Sequence, residues 1–151
     1  MRFLILFIAT GAGSGYSPVA PGTAGSVVGL LMLLVVGNAM NRHPLTAVAI
    51  FVVIFLVSCW ISGEAERIFD EPDSSKIVID EVLGMFATMY LNPLGWKYLI
   101  AGFLLFRLLD IIKPFPANWA DRRGGGTGVM LDDLFAAIYA NLILRVAALV
   151  I

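Results

Sequence analysis

The chain of 151 residues is 60% hydrophobic and only 14% charged, with a mean hydropathy of +0.91. Soluble domains carry about 25% charged residues, so this composition excludes an ordinary water-facing surface and makes the bilayer the expected solvent. A net charge of −1 removes the basic surface that nucleic-acid binding requires, and the single cysteine, Cys59, supports neither a disulfide framework nor a thiolate zinc site.

Residues 1–10, MRFLILFIAT, have one positive residue and a short apolar run, the way a secretory leader begins. They are expected to be retained, because the next stretch has a role. That stretch, GAGSGYSPVAPGTAGS (11–26), carries no charge and no run able to span a bilayer. Pro21-Gly22 reads as a turn, with Thr23 or Ser26 as cap of a helix beginning near residue 24. Free N–H groups at such a helix start favour phosphate. Gly11, Gly13 and Gly15 do not fit G-x-G-x-x-G, since Tyr16 stands at the last position, and no G-K-[ST] follows. Neither a dinucleotide loop nor a P-loop is present.

Apolar segments follow at about 26–40, 45–62, 77–91, 98–111 and 134–151. They lack period-2 alternation and read as helices, although several fall short of the ~20 residues of a full span. The expectation is an all-α integral-membrane bundle of about five hydrophobic helices, forming one domain over residues 1–151. Trp60, Trp96 and Trp119 lie near segment ends, as interfacial anchors do.

If all five segments cross, the connections alternate between two faces. Residues 10–25, 63–76 and 113–132 share one face; 41–44 and 92–97 share the other. All eleven acidic residues then lie on the first face or at the helix ends touching it. That face also carries Arg67, Lys76, Lys113, Arg122 and Arg123, against Arg42 and Lys97 opposite. The Lys/Arg bias makes the acidic face cytoplasmic.

Asp80 and Glu81 sit in IVIDEVLGMF, Asp110 in LLFRLLDIIKPFP, and Asp132 with Asp133 in GVMLDDLFAAIYA. Charges flanked by Ile, Leu and Met at membrane depth cost about 2.5–3.5 kcal/mol each on insertion scales, and pair or serve function. Clustered carboxylates repel unless a cation compensates. Oxygen ligands without Cys or His favour a hard ion such as Mg2+. Arg107, Asp110 and Lys113, three apart, fall within about a 120° arc if the helix lasts that long. Pro114 disfavours helix at Lys113, so the helix is expected to end there. This is a carboxylate flanked by two cations: a metal ligand beside phosphate clamps, or an ion pair.

Four stretches, GYSPVAPGTAGS, IVIDEVLGM, FRLLDIIKPFP and GVMLDDLFAAIYA, resemble in order and spacing the bacterial phosphatidylglycerophosphatase A family, over roughly residues 10–143. The resemblance implies an all-helical, Mg2+-dependent membrane phosphatase that releases phosphate from phosphatidylglycerophosphate. The glycine run 124–126 is denser than the family pattern leads one to expect. Within that reading, Asp80, Glu81, Asp110, Asp132 and Asp133 form the pool of metal ligands and water-activating base. Glu64 is a further candidate ligand, and Asp73 also looks like a family acid. Arg107 and Lys113 would hold phosphate, assisted by Tyr16, Ser17, Thr23 and backbone N–H groups of the opening loop. Other phosphatase chemistries lack their residues. The lone His43 lies on the opposite face, Ala65 occupies the place of the arginine six residues after Cys59, and no D-x-D occurs. The competing class is an ion-coupled transporter or channel subunit, whose acids should sit near the bilayer midplane.

Overall fold

The computed structural model describes residues 1–150. Seven α-helices and one 3-10 turn make up the chain, and no strand occurs among the described residues. They are α1 (Arg2–Ala9), the turn Ser14–Tyr16, α2 (Pro21–Arg42), α3 (Pro44–Phe69), α4 (Ile79–Met89), α5 (Trp96–Ile112), α6 (Ala117–Asp121) and α7 (Gly125–Val150). The five expected apolar helices are α2, α3, α4, α5 and α7.

Helix boundaries follow local chemistry. Proline opens both α2 and α3, where its fixed φ suits the first turn and its missing N–H is no loss. Thr23 and Ser26 are not caps. The turn falls earlier than expected, at Ala20, which is left-handed (φ 48°) and makes no side-chain cap. Ser26 instead donates its hydroxyl to the Gly22 carbonyl at 3.0 Å inside the helix. As expected from Pro114, α5 stops at Ile112, with Lys113 left-handed (φ 48°).

Three helices are long and apolar enough to cross a membrane: α2, α3 and α7. The expectation of five separate crossings is corrected by α4, whose 11 residues extend about 16 Å. It is a buried strut inside the bundle. Its direction nevertheless preserves the alternation of faces. Its first turn reaches the start of α2, where Gly22 abuts Glu81 and Arg107. Beyond its far end, Asn41 at the end of α2 donates to the Asn92 carbonyl and accepts from the Leu91 N–H, each at 3.0 Å. Close approach along α2 depends on glycine: a Cβ on Gly25 would lie 2.7 Å from Val78 Cβ, and one on Gly29 2.7 Å from the Val82 carbonyl oxygen.

Two apolar clusters hold the bundle. One joins Leu33, Met85, Met89, Leu99, Phe106 and Leu144 with the small residues of α7. The other joins Ala9, Ile61, Ala65, Ile79, Leu83 and Met130. Residues 1–10, left unplaced by sequence, lie back on α3 through Ile5, Leu6 and Ile8. Outward faces stay apolar, including Val35, Val53, Leu56, Leu104 and Val146. A soluble monomer rarely exposes patches of such extent; in a bilayer they meet acyl chains. All three tryptophans are exposed as well.

Candidate active site

The acidic residues gather at one end of the bundle because of where the helices stop. α4 begins with Asp80 and Glu81 in its first turn, where the helix dipole favours negative charge. Asp132 and Asp133 lie two turns into α7, Arg107 and Asp110 lie in the last turns of α5, and Lys113 directly follows its end. Around a cavity of about 220 Å³, these seven side chains meet Ala20, Pro21 and Gly22 from the start of α2 and Asp73, Ser74 and Ser75 from the α3–α4 loop.

Oxygens of Asp80, Glu81 and Asp133 all lie within 4.8 Å of one another. Asp80 and Asp133 are buried, and Asp80 Oδ1, Glu81 Oε2 and Asp133 Oδ2 have no hydrogen-bond partner. Buried carboxylate oxygens without a donor are costly, and three so close together have a geometry that could hold a cation. Two cations frame the trio. Arg107 Nη1 stands 2.7 Å from Asp110 Oδ2 and 3.7 Å from Glu81 Oε1. Lys113 Nζ donates to Asp132 Oδ2 at 2.6 Å and to Asp121 Oδ1 at 2.5 Å. Partial burial alone would lower the Lys113 pKa, but these two carboxylates outweigh it and raise the pKa above the ordinary lysine value. Lys113 therefore stays charged across the physiological range. Asp132 Oδ1 also accepts from the Asp133 N–H at 2.9 Å.

Of the residues expected at the site, Asp80, Glu81, Arg107, Asp110, Lys113, Asp132 and Asp133 converge on the one cavity. Four others stand elsewhere. Tyr16 is exposed and meets Phe69 edge-on, with centroids 6.4 Å apart. Ser17 donates to the Val19 carbonyl at 2.8 Å. Thr23 lies in the first turn of α2 without lining the cavity. The opening loop contributes backbone and Gly22 instead, because the helix starts three residues earlier than expected. Glu64 pairs with Arg67 at 2.6 Å in a separate recess between α3 and the start of α7, shared with Cys59, Trp60 and Gly126.

Sequence reasoning missed Gly22 and Asp121. A Cβ at Gly22 would run into Glu81 Oε1 and the Arg107 guanidinium, an approach between separate helices that no local pattern encodes. The partner of Asp121, Lys113, is set by the α5–α6 corner, which no local pattern encodes either. Asp73 does line the cavity; its N–H is held by Glu66 Oε1 at 2.9 Å. The neighbouring loop is tied down by Ser74, which donates to Glu71 at 2.8 Å.

Fold and site together define a membrane-embedded helical protein with a mixed acidic and basic pocket at one end, suited to a phosphorylated lipid headgroup. The chain belongs to the phosphatidylglycerophosphatase A family, whose model matches residues 7–148. It is similar to a candidate phosphatidylinositol-3-phosphatase of Bacteroides thetaiotaomicron, with 35% identity over 99% of this chain and 96% of that protein. Phosphatidylglycerophosphatase A of Haemophilus influenzae is 36% identical over 92% of this chain and 85% of its own length. The Escherichia coli K12 protein of the same name is 34% identical over 87% and 76%. No solved structure matches the chain. The family makes this protein a membrane phosphatase of lipid phosphates.

Proposed function

We propose that the protein hydrolyses phosphatidylglycerophosphate to phosphatidylglycerol and inorganic phosphate, in a Mg2+-assisted site on the cytoplasmic face of the membrane. The observation that carries this reading is the meeting on one cavity of three carboxylates with unpartnered oxygens and two cations fit to clamp phosphate. No Cys or His lines that cavity, and an oxygen-only set of this kind fits a hard divalent ion. Asp80, Glu81 and Asp133 would hold it, with Asp110 and Asp132 beside them. Bound there, Mg2+ would supply charge neutralisation for the phosphoryl oxygens and help orient water.

The protein's own groups do the rest. Arg107 and Lys113 grip the phosphoryl oxygens, and Gly22 lets the start of α2 close over Glu81 and Arg107. Water attacks phosphorus in line with the glycerol oxygen, forming one P–O bond as the other breaks. A carboxylate of the pool takes the water proton and hands it on to the leaving glycerol oxygen, so the carboxylate is regenerated as alcohol and phosphate part. The cytoplasmic assignment is supported by the excess of Lys and Arg on the acidic end. An ion-coupled transporter would be expected to carry these acids near the midplane, whereas they sit at one end of the bundle.

The name of the Bacteroides relative raises one alternative headgroup, phosphatidylinositol 3-phosphate, for the same chemistry. Purified protein in mixed micelles, given either lipid with Mg2+ or with EDTA, separates the readings. Phosphate is expected from phosphatidylglycerophosphate at least ~10-fold faster than from the inositol lipid, and none with EDTA, since an ion-assisted site loses its charge neutralisation. A faster rate on the inositol lipid would reassign the headgroup. Release unaffected by EDTA would remove the ion, and folded protein inactive on both lipids would end the proposal.

A further inference from the structure

α4 ends at Met89, and its last carbonyls lack the N–H partners that a longer helix would supply. Side chains satisfy them instead. The two N–H groups of the Asn141 amide lie within hydrogen-bonding distance of three carbonyls, those of Ala87 (3.1 Å), Thr88 (2.9 Å) and Tyr90 (2.7 Å). Asn92 donates to the Thr88 carbonyl at 2.9 Å and to that of Asn141 at 3.4 Å. Arg145 Nη2 adds a bond to the Tyr90 carbonyl at 2.9 Å.

The contact between Asn141 and Thr88 spans 53 positions in sequence. Asp133 and Asp80 are the same number of positions apart, and their carboxylates meet at the other end of the same two helices. Equal offsets at both ends mean that α4 and α7 run parallel without slip. Eight residues, or about 12 Å along the axis, separate the two contacts. Between them α7 presents Ala136, Ala137 and Ala140, all fully buried, and so small a surface has little to resist sliding. A slip of one residue is about 1.5 Å, a large step against the 4.8 Å within which the carboxylate oxygens of the trio lie.

We propose that Asn141 is a positioning residue. By clasping the end of α4 it sets the axial register of α7, and with it the spacing of Asp80, Glu81 and Asp133, without touching substrate. The inference rests on reading that trio as a divalent-ion site. Its test uses full-length protein in detergent, with Mn2+ as the probe. Loss of the free-ion electron paramagnetic resonance signal reports binding, and phosphate release at varied Mg2+ reports the activation constant. Wild type binds Mn2+. Asn141→Ala weakens binding at least ~10-fold and raises the Mg2+ activation constant in parallel, while the KM for lipid at saturating Mg2+ moves less than ~3-fold, as expected when positioning rather than substrate contact is lost. Arg145→Met removes a bond to the same loop but leaves the Asn141 clasp. It lowers the melting temperature yet binds Mn2+ as wild type does.

Should Asn141→Ala not fold, Asn141→Gln serves, because its longer stem displaces α7 and weakens Mn2+ binding several-fold. Wild-type Mn2+ affinity in a folded Asn141 variant overturns the inference, as does equal weakening by Arg145→Met. Failure of wild type itself to bind Mn2+ overturns the ion reading and this inference with it.

Discussion

Asp80→Asn should abolish phosphate release while leaving the protein folded and no less stable. Asparagine keeps the shape of the side chain and removes its charge. Asp80 is buried beside Glu81 and Asp133, and its Oδ1 accepts nothing. Removing one of three like charges relieves repulsion in the ion-free protein, so the melting temperature there should hold or rise. The same change removes an ion ligand, and the expected loss of roughly a thousandfold in rate corresponds to about 4 kcal/mol of barrier. Any stabilisation that wild type gains from added Mg2+, through preferential binding to the folded state, should vanish in the variant. Rates and melting curves measured with and without Mg2+ check both halves. A near-normal rate would remove Asp80 from the site, and a collapsed melting curve would make its role structural.

Gly22→Ala is the second large expectation, and it acts through a single methyl group. The new Cβ would occupy the space of Glu81 Oε1 and the Arg107 guanidinium. Either the start of α2 moves away from α4, or those two side chains turn out of position. Displacements of about 1 Å at a reacting centre cost on the order of 100-fold, so kcat/KM should fall by about that factor. Gly95→Ala is the matched control. Its Cβ would meet only Tyr98 Cδ2, at an ordinary 3.8 Å, and activity should remain within about twofold, as for surface changes that disturb no named contact. Equal effects from the two substitutions would show that the approach at Gly22 is not what matters.

The helical membrane architecture was legible because apolar runs of this length and period have few other solutions. The meeting of acids at one cavity was legible for a related reason: Asp80, Asp110 and Asp132 interrupt runs of Ile, Leu and Met, where a charge without a partner is expensive. The i, i+3 spacing placed Arg107 beside Asp110, whereas Lys113, left-handed past the end of α5, turns to Asp121 and Asp132 instead. What escaped was set by contacts between distant segments. The end of α4 falls two residues before the expected close of its apolar segment at 91, and what the sequence did not show is that asparagines from α2 and α7 hold it there. The opening loop was misjudged in detail because left-handed Ala20 starts α2 early, which turns Gly22 rather than a hydroxyl toward the cavity. Glu64 has the same acidic chemistry as the others, yet its place on α3 pairs it with Arg67.

The lining of the cavity has a kinetic consequence. With every side chain ionised, its six carboxylates and two cations leave a formal charge of −4. A phosphate monoester brings about two further negative charges, so the empty pocket repels the molecule it is proposed to cleave. On that reading the lipid is admitted only after the carboxylates have been neutralised, and the two reactants bind in compulsory order. Initial rates should then show the Michaelis constant for lipid falling as Mg2+ rises, with no productive route in which the ester arrives first.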